Sequence, residues 1–260
     1  MSRPRFWRWF ANSATILNAF SGIWAIIYIV WGNKLFALAL MFTAIGWDGL
    51  DGYAARRAGD GDSTFGRVAD SVSDSITFCL APGALVAIDL YPQSTWAPYG
   101  FVPLALGIAV AGIGIARLVR YTLSAHALPH FMGASTPQNA MAIMFLVLLF
   151  DVPGYLNVLP LPFLFVVAIL APLMLLPIPY PRMRDRAVTR LFLFPIMTTG
   201  VFAIAIPNLR PAPGTFPYFV GDAFALAGIL LLGGFYVGGP LMVRHGIRKA
   251  SQPPASTSFG

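Results

Sequence analysis

Four aspartates stand in segments where a membrane-spanning helix would normally carry no charge. The chain has ten acidic residues, all aspartate, and Asp48, Asp51, Asp70 and Asp74 fall inside two long apolar stretches. A charged side chain at the centre of a bilayer costs about 2.5 kcal/mol or more, so such residues usually face a partner or a polar cavity. These four side chains are therefore the first candidates for chemistry.

Their spacing predicts that the four carboxylates meet. Asp48 and Asp51 are three residues apart and Asp70 and Asp74 are four apart, so each pair occupies one face of a helix. The short polar linker between the pairs makes the two helices antiparallel neighbours, with both pairs near the same end. Four carboxylates in one cleft repel one another unless cations neutralise them. Oxygen ligands of this kind select Mg²⁺, Mn²⁺ or Ca²⁺.

A structural alternative is that the aspartates are scattered and form salt bridges with the neighbouring arginines Arg56, Arg57 and Arg67. Arginines near a helix end can also extend their guanidinium groups to the membrane surface without such partners. We therefore favour the metal site over the salt bridges.

The composition predicts an all-α, polytopic integral membrane protein. Hydrophobic residues make up 57% of the 260, charged residues only 10%, and the mean hydropathy is +0.72, whereas a water-facing surface needs roughly a quarter to a third charged residues. Runs of about 20 apolar residues predict transmembrane helices. Eight are expected, near residues 11–31, 35–56, 66–89, 99–121, 137–151, 156–178, 189–207 and 217–242.

The basic residues predict the orientation. With both termini in the cytoplasm, all of the 17 lysines and arginines except Lys34 and Arg210 fall on the cytoplasmic side, as the positive-inside rule requires. Topology thus explains the net charge of +7, and no nucleic-acid partner is expected.

We expect one membrane domain over residues 1–250, no cleaved signal peptide, and a disordered tail at 251–260. The single cysteine, Cys79, is expected to pack as a small apolar residue.

The motif around the aspartates resembles that of the CDP-alcohol phosphotransferases. The family pattern is D-x2-D-G-x2-A-R, a variable gap, then G-x3-D-x3-D, and residues 48–56 and 66–74 match all of its fixed positions. The resemblance implies a helical membrane fold whose polar active site faces the cytoplasm. It also implies homodimers and two divalent cations, Mg²⁺ or Mn²⁺, held by Asp48, Asp51, Asp70 and Asp74.

The resemblance further implies individual roles. Asp74 would be the base that deprotonates the acceptor hydroxyl. The pocket for the CDP group would be lined by Asp48, Gly52, Ala55, Arg56 and Gly66. Glycines in these spans would let a nucleotide diphosphate approach the helices closely, and a packing role for Gly52 or Gly66 is the alternative.

Within the family, the stretch from Phe65 to Gly83 is similar to the phosphatidylserine synthases, as are residues 14–22 and the segment around Arg117 and Arg120. Eight spans also suit that subfamily better than six-span relatives. This implies transfer of the phosphatidyl group from CDP-diacylglycerol to L-serine, in a prokaryotic cell membrane. The segments after Arg120 and at 133–137 depart from the subfamily pattern, so glycerol 3-phosphate, inositol phosphate or another polar alcohol stays open as the acceptor.

Other polar residues have competing interpretations. Arg117 and Arg120 are three residues apart, and they either hold a lipid phosphate or the acceptor carboxylate or serve as topological anchors. A second arginine cluster is expected to set topology or bind anionic lipids: Arg182, Arg184, Arg186 and Arg190. His126 and His130 are expected to be loop residues at the membrane interface and not metal ligands.

A cation transporter with carboxylates in its path is a further alternative for the function of the protein, although no internal repeat supports it.

Overall fold

The computed structural model describes residues 3–59, 64–89, 101–123, 131–150, 160–181, 189–208 and 216–251. These residues are almost entirely helical, which confirms the predicted all-α class. Nine α-helices lie within the described ranges: α1 Arg3–Val30, α2 Lys34–Ala58, α3 Thr64–Asp74, α4 Ala81–Ala84, α5 Val102–Leu123, α6 Thr136–Phe150, α7 Pro160–Leu173, α8 Phe194–Asn208 and α9 Phe216–Ser251.

The predicted membrane spans correspond to eight apolar helical segments among the described residues. Five are long enough to cross a bilayer: Arg5–Val30, Lys34–Ala58, Thr64–Ile88, Val102–Leu123 and Phe219–Arg244. Three are shorter: Thr136–Leu149, Leu161–Leu173 and Leu191–Ile206. The protein is thus an integral membrane protein, although three of the eight predicted spans fall short of the roughly 20 residues that a perpendicular crossing requires.

The last helix is longer than expected. α9 continues to Ser251, which is one residue into the segment predicted to be a disordered tail. Residues 252–260 lie outside the described part of the chain.

The third span changes its hydrogen-bonding pattern along its length. α3 passes into a π-helical segment at Ser75–Leu80, then into the short α4, and then into a π-helical turn at Leu85–Asp89. Pro82 has no N–H to donate to the preceding turn, which accounts for a break in the α-helical pattern here. The first π-segment begins immediately after Asp74, and such segments often occur at functional sites.

One of the three shorter spans, α6, is buried among the other helices. Every residue of α6 from Asn139 to Leu148 is buried, and α6 packs against α9, α7, α2, α8 and the third span. A helix that is apolar on all sides belongs in the interior of a bundle. Because other helices pack around it, α6 can be shorter than the bilayer is thick.

A two-residue strand pair was not predicted from the sequence. β1, Phe131–Met132, pairs antiparallel with β2, Pro179–Tyr180, and the backbone N–H of Gly133 donates to the carbonyl of Ile178 at 2.8 Å. Gly133 has a φ of +78°, a conformation that glycine adopts without steric cost. The pair ties the start of α6 to the segment that follows α7.

Two glycines allow the third span to lie directly against α5. A Cβ on Gly83 would lie 2.7 Å from the carbonyl oxygen of Gly107, and a Cβ on Gly107 would lie 2.8 Å from the backbone nitrogen of Ala87. Both obstacles are backbone atoms, which cannot rotate away. Gly112, on the same helix, has open space at its Cβ position.

We therefore expect Gly107→Ala to destabilise the protein by about 1–3 kcal/mol, because overpacking forces the two helices apart. Gly112→Ala is the matched control, and it should leave stability unchanged or slightly increased, since alanine is the better helix former. Thermal unfolding of the two purified variants in detergent checks this. Equal melting temperatures would show that the close contact is not rigid.

Candidate active site

The structure brings three of the four predicted aspartates into a tight cluster. Asp48 lies on α2, and Asp70 and Asp74 lie on α3. A carboxylate oxygen from each of the three residues lies within 4.8 Å of the other two. Asp74 is buried, at 7% exposed, and Asp48 and Asp70 are half-buried. The meeting of carboxylates from α2 and α3 is what their spacing and the short linker predicted.

Asp51 lies beside this cluster and is anchored elsewhere. Its Oδ2 atom accepts a hydrogen bond from the hydroxyl of Thr15 on α1 at 2.9 Å, and it is buried. Its charge acts on both Asp48 and Asp74, and it interacts with that of Asp70. All four carboxylates thus share one cleft, while three form the closest group.

The first helix supports this cleft, which the sequence analysis did not predict. The side-chain amide of Asn18 donates to Oδ1 of Asp74 at 3.1 Å. Thr15 and Asn18 are three residues apart, so both lie on the face of α1 that meets the aspartates. The sequence feature that could have predicted this role is the pair of polar residues, three positions apart, within an apolar span.

Hydrogen bonds from the third span fix α1 in register. The hydroxyl of Ser73 donates to the carbonyl of Thr15 at 3.0 Å, and that of Thr77 donates to the carbonyl of Asn18, also at 3.0 Å. Gly22 lies against Thr77, where a Cβ would be 2.9 Å from the Cα of Thr77. These contacts place Thr15 and Asn18 at the depth of the aspartates, so that α1 acts as a wall of the cleft.

The donor set fits a divalent cation. Oδ1 of Asp70 and Oδ1 of Asn18 are both buried and without a hydrogen-bond partner in the described part of the protein. Clustered carboxylates with unsatisfied oxygens need a counter-charge, and a set made only of oxygen atoms suits Mg²⁺ or Mn²⁺. Asp48, Asp70 and Asp74 could therefore hold a divalent metal ion.

Two of the three neighbouring arginines, Arg57 and Arg67, have contacts other than the aspartates, while the charge of the third, Arg56, acts on Asp51. The guanidinium group of Arg57 lies over the rings of Trp7 and Tyr53, at 5.5 and 5.1 Å from their centroids. Arg67 donates to the hydroxyl of Thr64 at 3.4 Å. Cation–π contacts of this kind hold a cation at the membrane interface without a carboxylate.

Four of the residues predicted to contact CDP lie where α2 ends and α3 begins. Gly52, Ala55 and Arg56 occupy the last two turns of α2, and Gly66 lies in the first turn of α3. Arg56 and Gly66 are exposed, and a Cβ at Gly52 would lie 3.1 Å from a terminal nitrogen of Arg56. Gly59 caps the C-terminal end of α2 with a φ of +78°, and its backbone N–H donates to the carbonyls of Ala55 and Arg56. The guanidinium group of Arg56 lies over Gly52, at a distance that a larger side chain at this position would reduce.

Arg117 and Arg120 differ in their surroundings. Arg117 is buried, at 5% exposed, and Arg120 is exposed. The charge of Arg117 interacts with that of Asp74. Its Nε atom has no hydrogen-bond partner within the described ranges. From the sequence, the same two roles were open to both arginines, and the difference in burial now distinguishes them.

A close contact between Gly114 and Cys79 brings the helix that carries Arg117 against the third span. A Cβ at Gly114 would lie 2.6 Å from Sγ of Cys79, so α5 packs directly on the π-segment at this point. Cys79 is free and buried, as its predicted packing role requires. Arg117, three residues beyond Gly114, lies on the same face of α5.

Several predicted residues lie outside the described part of the chain: His126, His130, Arg182, Arg184 and Arg186. The backbone of Arg190 belongs to a described π-helical turn, Thr189–Leu193.

Comparison with known proteins relates this site to a family. The sequence profile of the family described as CDP-alcohol phosphatidyltransferase matches residues 8–178. That range contains all four aspartates, the α1 residues that support them, and Arg117.

Three characterised relatives are similar to the chain. It is 31% identical over 169 residues to the archaetidylserine synthase of Methanothermobacter thermautotrophicus, an overlap of 65% of this chain and 67% of the relative. It is 30% identical over 133 residues to the CDP-diacylglycerol–serine O-phosphatidyltransferase of Bacillus subtilis, covering 51% and 71%. It is 30% identical over 140 residues to the enzyme of the same name from Mycobacterium tuberculosis, covering 51% of this chain and 46% of that protein.

Proposed function

The chain belongs to the CDP-alcohol phosphatidyltransferase family, and on that premise we propose that it transfers the phosphatidyl group of CDP-diacylglycerol to the hydroxyl of L-serine, giving phosphatidylserine and CMP. It is a membrane transferase that acts on a CDP-linked donor and an alcohol acceptor. The observation that carries the proposal is the cluster of Asp48, Asp70 and Asp74, in which Asp74 is buried and the other two are half-buried. The names of all three relatives specify serine, and this supports serine as the acceptor.

The four aspartates are proposed to hold two divalent cations, Mg²⁺ or Mn²⁺. Asp48, Asp70 and Asp74 supply the closest oxygens, and Asp51 adds its remaining carboxylate oxygen from the adjacent wall. When bound, such cations stabilise negative charge on the pyrophosphate and on the departing CMP phosphate. The unpartnered Oδ1 of Asp70 supports this assignment.

Asp74 is proposed as the general base. It takes the proton of the serine hydroxyl as the serine oxygen forms a bond to the phosphorus that carries diacylglycerol. The bond from that phosphorus to the bridging oxygen breaks, and CMP leaves with the electron pair. A carboxylate at hydrogen-bond distance supplies this kind of assistance. The hydrogen bond from Asn18 fixes one Asp74 oxygen and leaves the other to face the acceptor.

Asp48, Gly52, Ala55, Arg56 and Gly66 are proposed to line the CDP pocket. Gly52 leaves room for the exposed guanidinium group of Arg56, which can pair with phosphate oxygens.

Arg117 is proposed to serve the acceptor, because it is buried beside Asp74. Arg120 is exposed on the last turns of α5, which suits a lipid phosphate or a topological anchor.

The distribution of basic residues supports an active site that faces the cytoplasm of a prokaryotic cell. We also propose a homodimer from the family resemblance.

An acceptor panel tests the proposal. Purified protein is incubated with CDP-diacylglycerol, Mn²⁺ or Mg²⁺, and separately L-serine, glycerol 3-phosphate, inositol phosphate or ethanolamine. We expect serine to give a lipid product at a rate at least about tenfold above any other acceptor, since a site built for a polar group rejects analogues that lack it. A product with glycerol 3-phosphate and none with serine would contradict serine as the acceptor while leaving phosphatidyl transfer intact.

A further inference from the structure

Two buried hydrogen-bond donors without partners lie on helices far apart in the sequence. The Nε atom of Arg117, on α5, and the hydroxyl of Tyr236, on α9, are both buried without a hydrogen-bond partner among the residues that the structure describes. The guanidinium group interacts electrostatically with the Tyr236 hydroxyl and with the carboxylate of Asp74. Tyr236 lies beyond residue 178, where the family match ends, so nothing in the motif pointed to it.

The position of Tyr236 is fixed by its neighbours. The hydroxyl of Tyr180, on β2, donates to the backbone carbonyl of Tyr236 at 3.3 Å, and the two rings meet edge to face at 6.2 Å. The ring of Tyr180 also stacks on Phe235 at 5.9 Å. Burial raises the pKa of Tyr180, which keeps its hydroxyl protonated as a donor.

The same packing connects α9 to α5. Ile113 and Tyr236 both pack against one small apolar cluster made of Ala134, Met174, Tyr180 and Phe235. Ile113 is four residues, about one helical turn, before Arg117. The strand pair, the end of α7 and the last span thus hold Arg117 and Tyr236 in a fixed relation.

These two groups are suited to an anion. An arginine is always charged and has donors only, and leaving its Nε–H buried and unpaired is costly unless a ligand satisfies it. The hydroxyl of Tyr236, on which the charge of Arg117 acts, is a second buried donor without a partner in the described ranges. Such a pair fits the two oxygens of a carboxylate, because charge-assisted hydrogen bonds from a guanidinium group are strong and directional. The anion would lie next to Asp74, where the acceptor hydroxyl must be.

We propose that Arg117 and Tyr236 together bind the anionic group of the acceptor alcohol, which is the carboxylate when the acceptor is serine. α9 then supplies a residue that determines acceptor specificity, and the last span closes the acceptor side of the cleft. This inference rests on the proposed phosphatidyl transfer and specifies how its second substrate is recognised.

Tyr236→Phe tests the inference, since it removes only the hydroxyl. We expect the KM for serine to rise by about ten- to hundredfold, the effect of losing a hydrogen bond to a charged group. The KM for CDP-diacylglycerol should not change. Serinamide, in which a neutral amide replaces the carboxylate, should be affected far less, so the ratio of kcat/KM for serine to that for serinamide should fall about tenfold or more. Tyr28→Phe removes a hydroxyl in the aromatic cluster of α1 and should change none of these values.

The possible outcomes separate this inference from the proposed function. If the wild-type protein uses serine and Tyr236→Phe keeps the same serine KM and the same ratio, the inference is wrong and the transfer reaction stands. Equal losses with serine and serinamide would point to a structural role and would also overturn it. If another anionic alcohol is the acceptor, serine is wrong, and the KM of the variant for that alcohol decides the inference. Preference for a neutral alcohol would contradict both.

Discussion

Replacing Asp74 with asparagine is expected to lower kcat for CMP release by at least about a thousandfold. General-base assistance contributes roughly 10²–10⁴ in rate, and the same carboxylate belongs to the cluster proposed to hold metal. Asparagine has nearly the same shape and can keep a hydrogen bond to Asn18. The protein should therefore stay folded, which size-exclusion chromatography and thermal unfolding would check.

The matched control is Asp222→Asn on α9. Asp222 is half-buried and is not part of the three-aspartate cluster, so this variant should keep wild-type turnover. Wild-type turnover in Asp74→Asn, with the variant folded, would rule out Asp74 as the base.

Replacing Asp70 with asparagine is expected to weaken divalent-cation binding by at least about a hundredfold. Even the loss of a group that only supports a metal ligand costs about 10–100-fold in affinity, and Asp70 is proposed to bind the ion directly. Titration of Mn²⁺, followed by electron paramagnetic resonance in the absence of substrate, measures this without relying on activity.

The same Mn²⁺ titration on the other aspartate variants tests which carboxylates bind the ion. Asp48→Asn should match Asp70→Asn. Asp51→Asn should cause a smaller loss, because one Asp51 oxygen already accepts a hydrogen bond from Thr15. Unchanged Mn²⁺ affinity in both Asp48→Asn and Asp70→Asn would show that the cluster holds no ion.

The aspartate cleft could be predicted because its geometry is local. Spacings of three and four residues fix which helical face each carboxylate occupies, and a short linker leaves the two helices few arrangements other than antiparallel neighbours. The cost of charge in a membrane then required the carboxylates to share a polar site. The observed cluster of Asp48, Asp70 and Asp74 follows from these constraints.

The contributions of α1 and α9 could not be predicted in the same way. Asn18 donates to Asp74 across 56 positions in the sequence, and the position of Tyr236 depends on Tyr180, which belongs to the strand pair. Such contacts depend on how whole helices pack, and no local spacing encodes them.

The length of α6 agrees with the span predicted at residues 137–151, but its buried position could not be predicted. Hydropathy detects apolar segments but does not distinguish a helix that faces lipid from one buried among other helices. α6 is such a buried helix, so its apolar sequence reflects the protein interior as much as the bilayer.

The central claim is that the aspartate cleft catalyses cation-dependent phosphatidyl transfer. The most direct measurement is the yield of CMP and of lipid product from purified protein with CDP-diacylglycerol and serine, as Mn²⁺ is added to protein first stripped with a chelator. We predict no product without the cation, and then CMP and phosphatidylserine in equal amounts, rising with Mn²⁺ to saturation. Folded protein that releases no CMP at any Mn²⁺ concentration, with serine or with any other alcohol, would contradict the account.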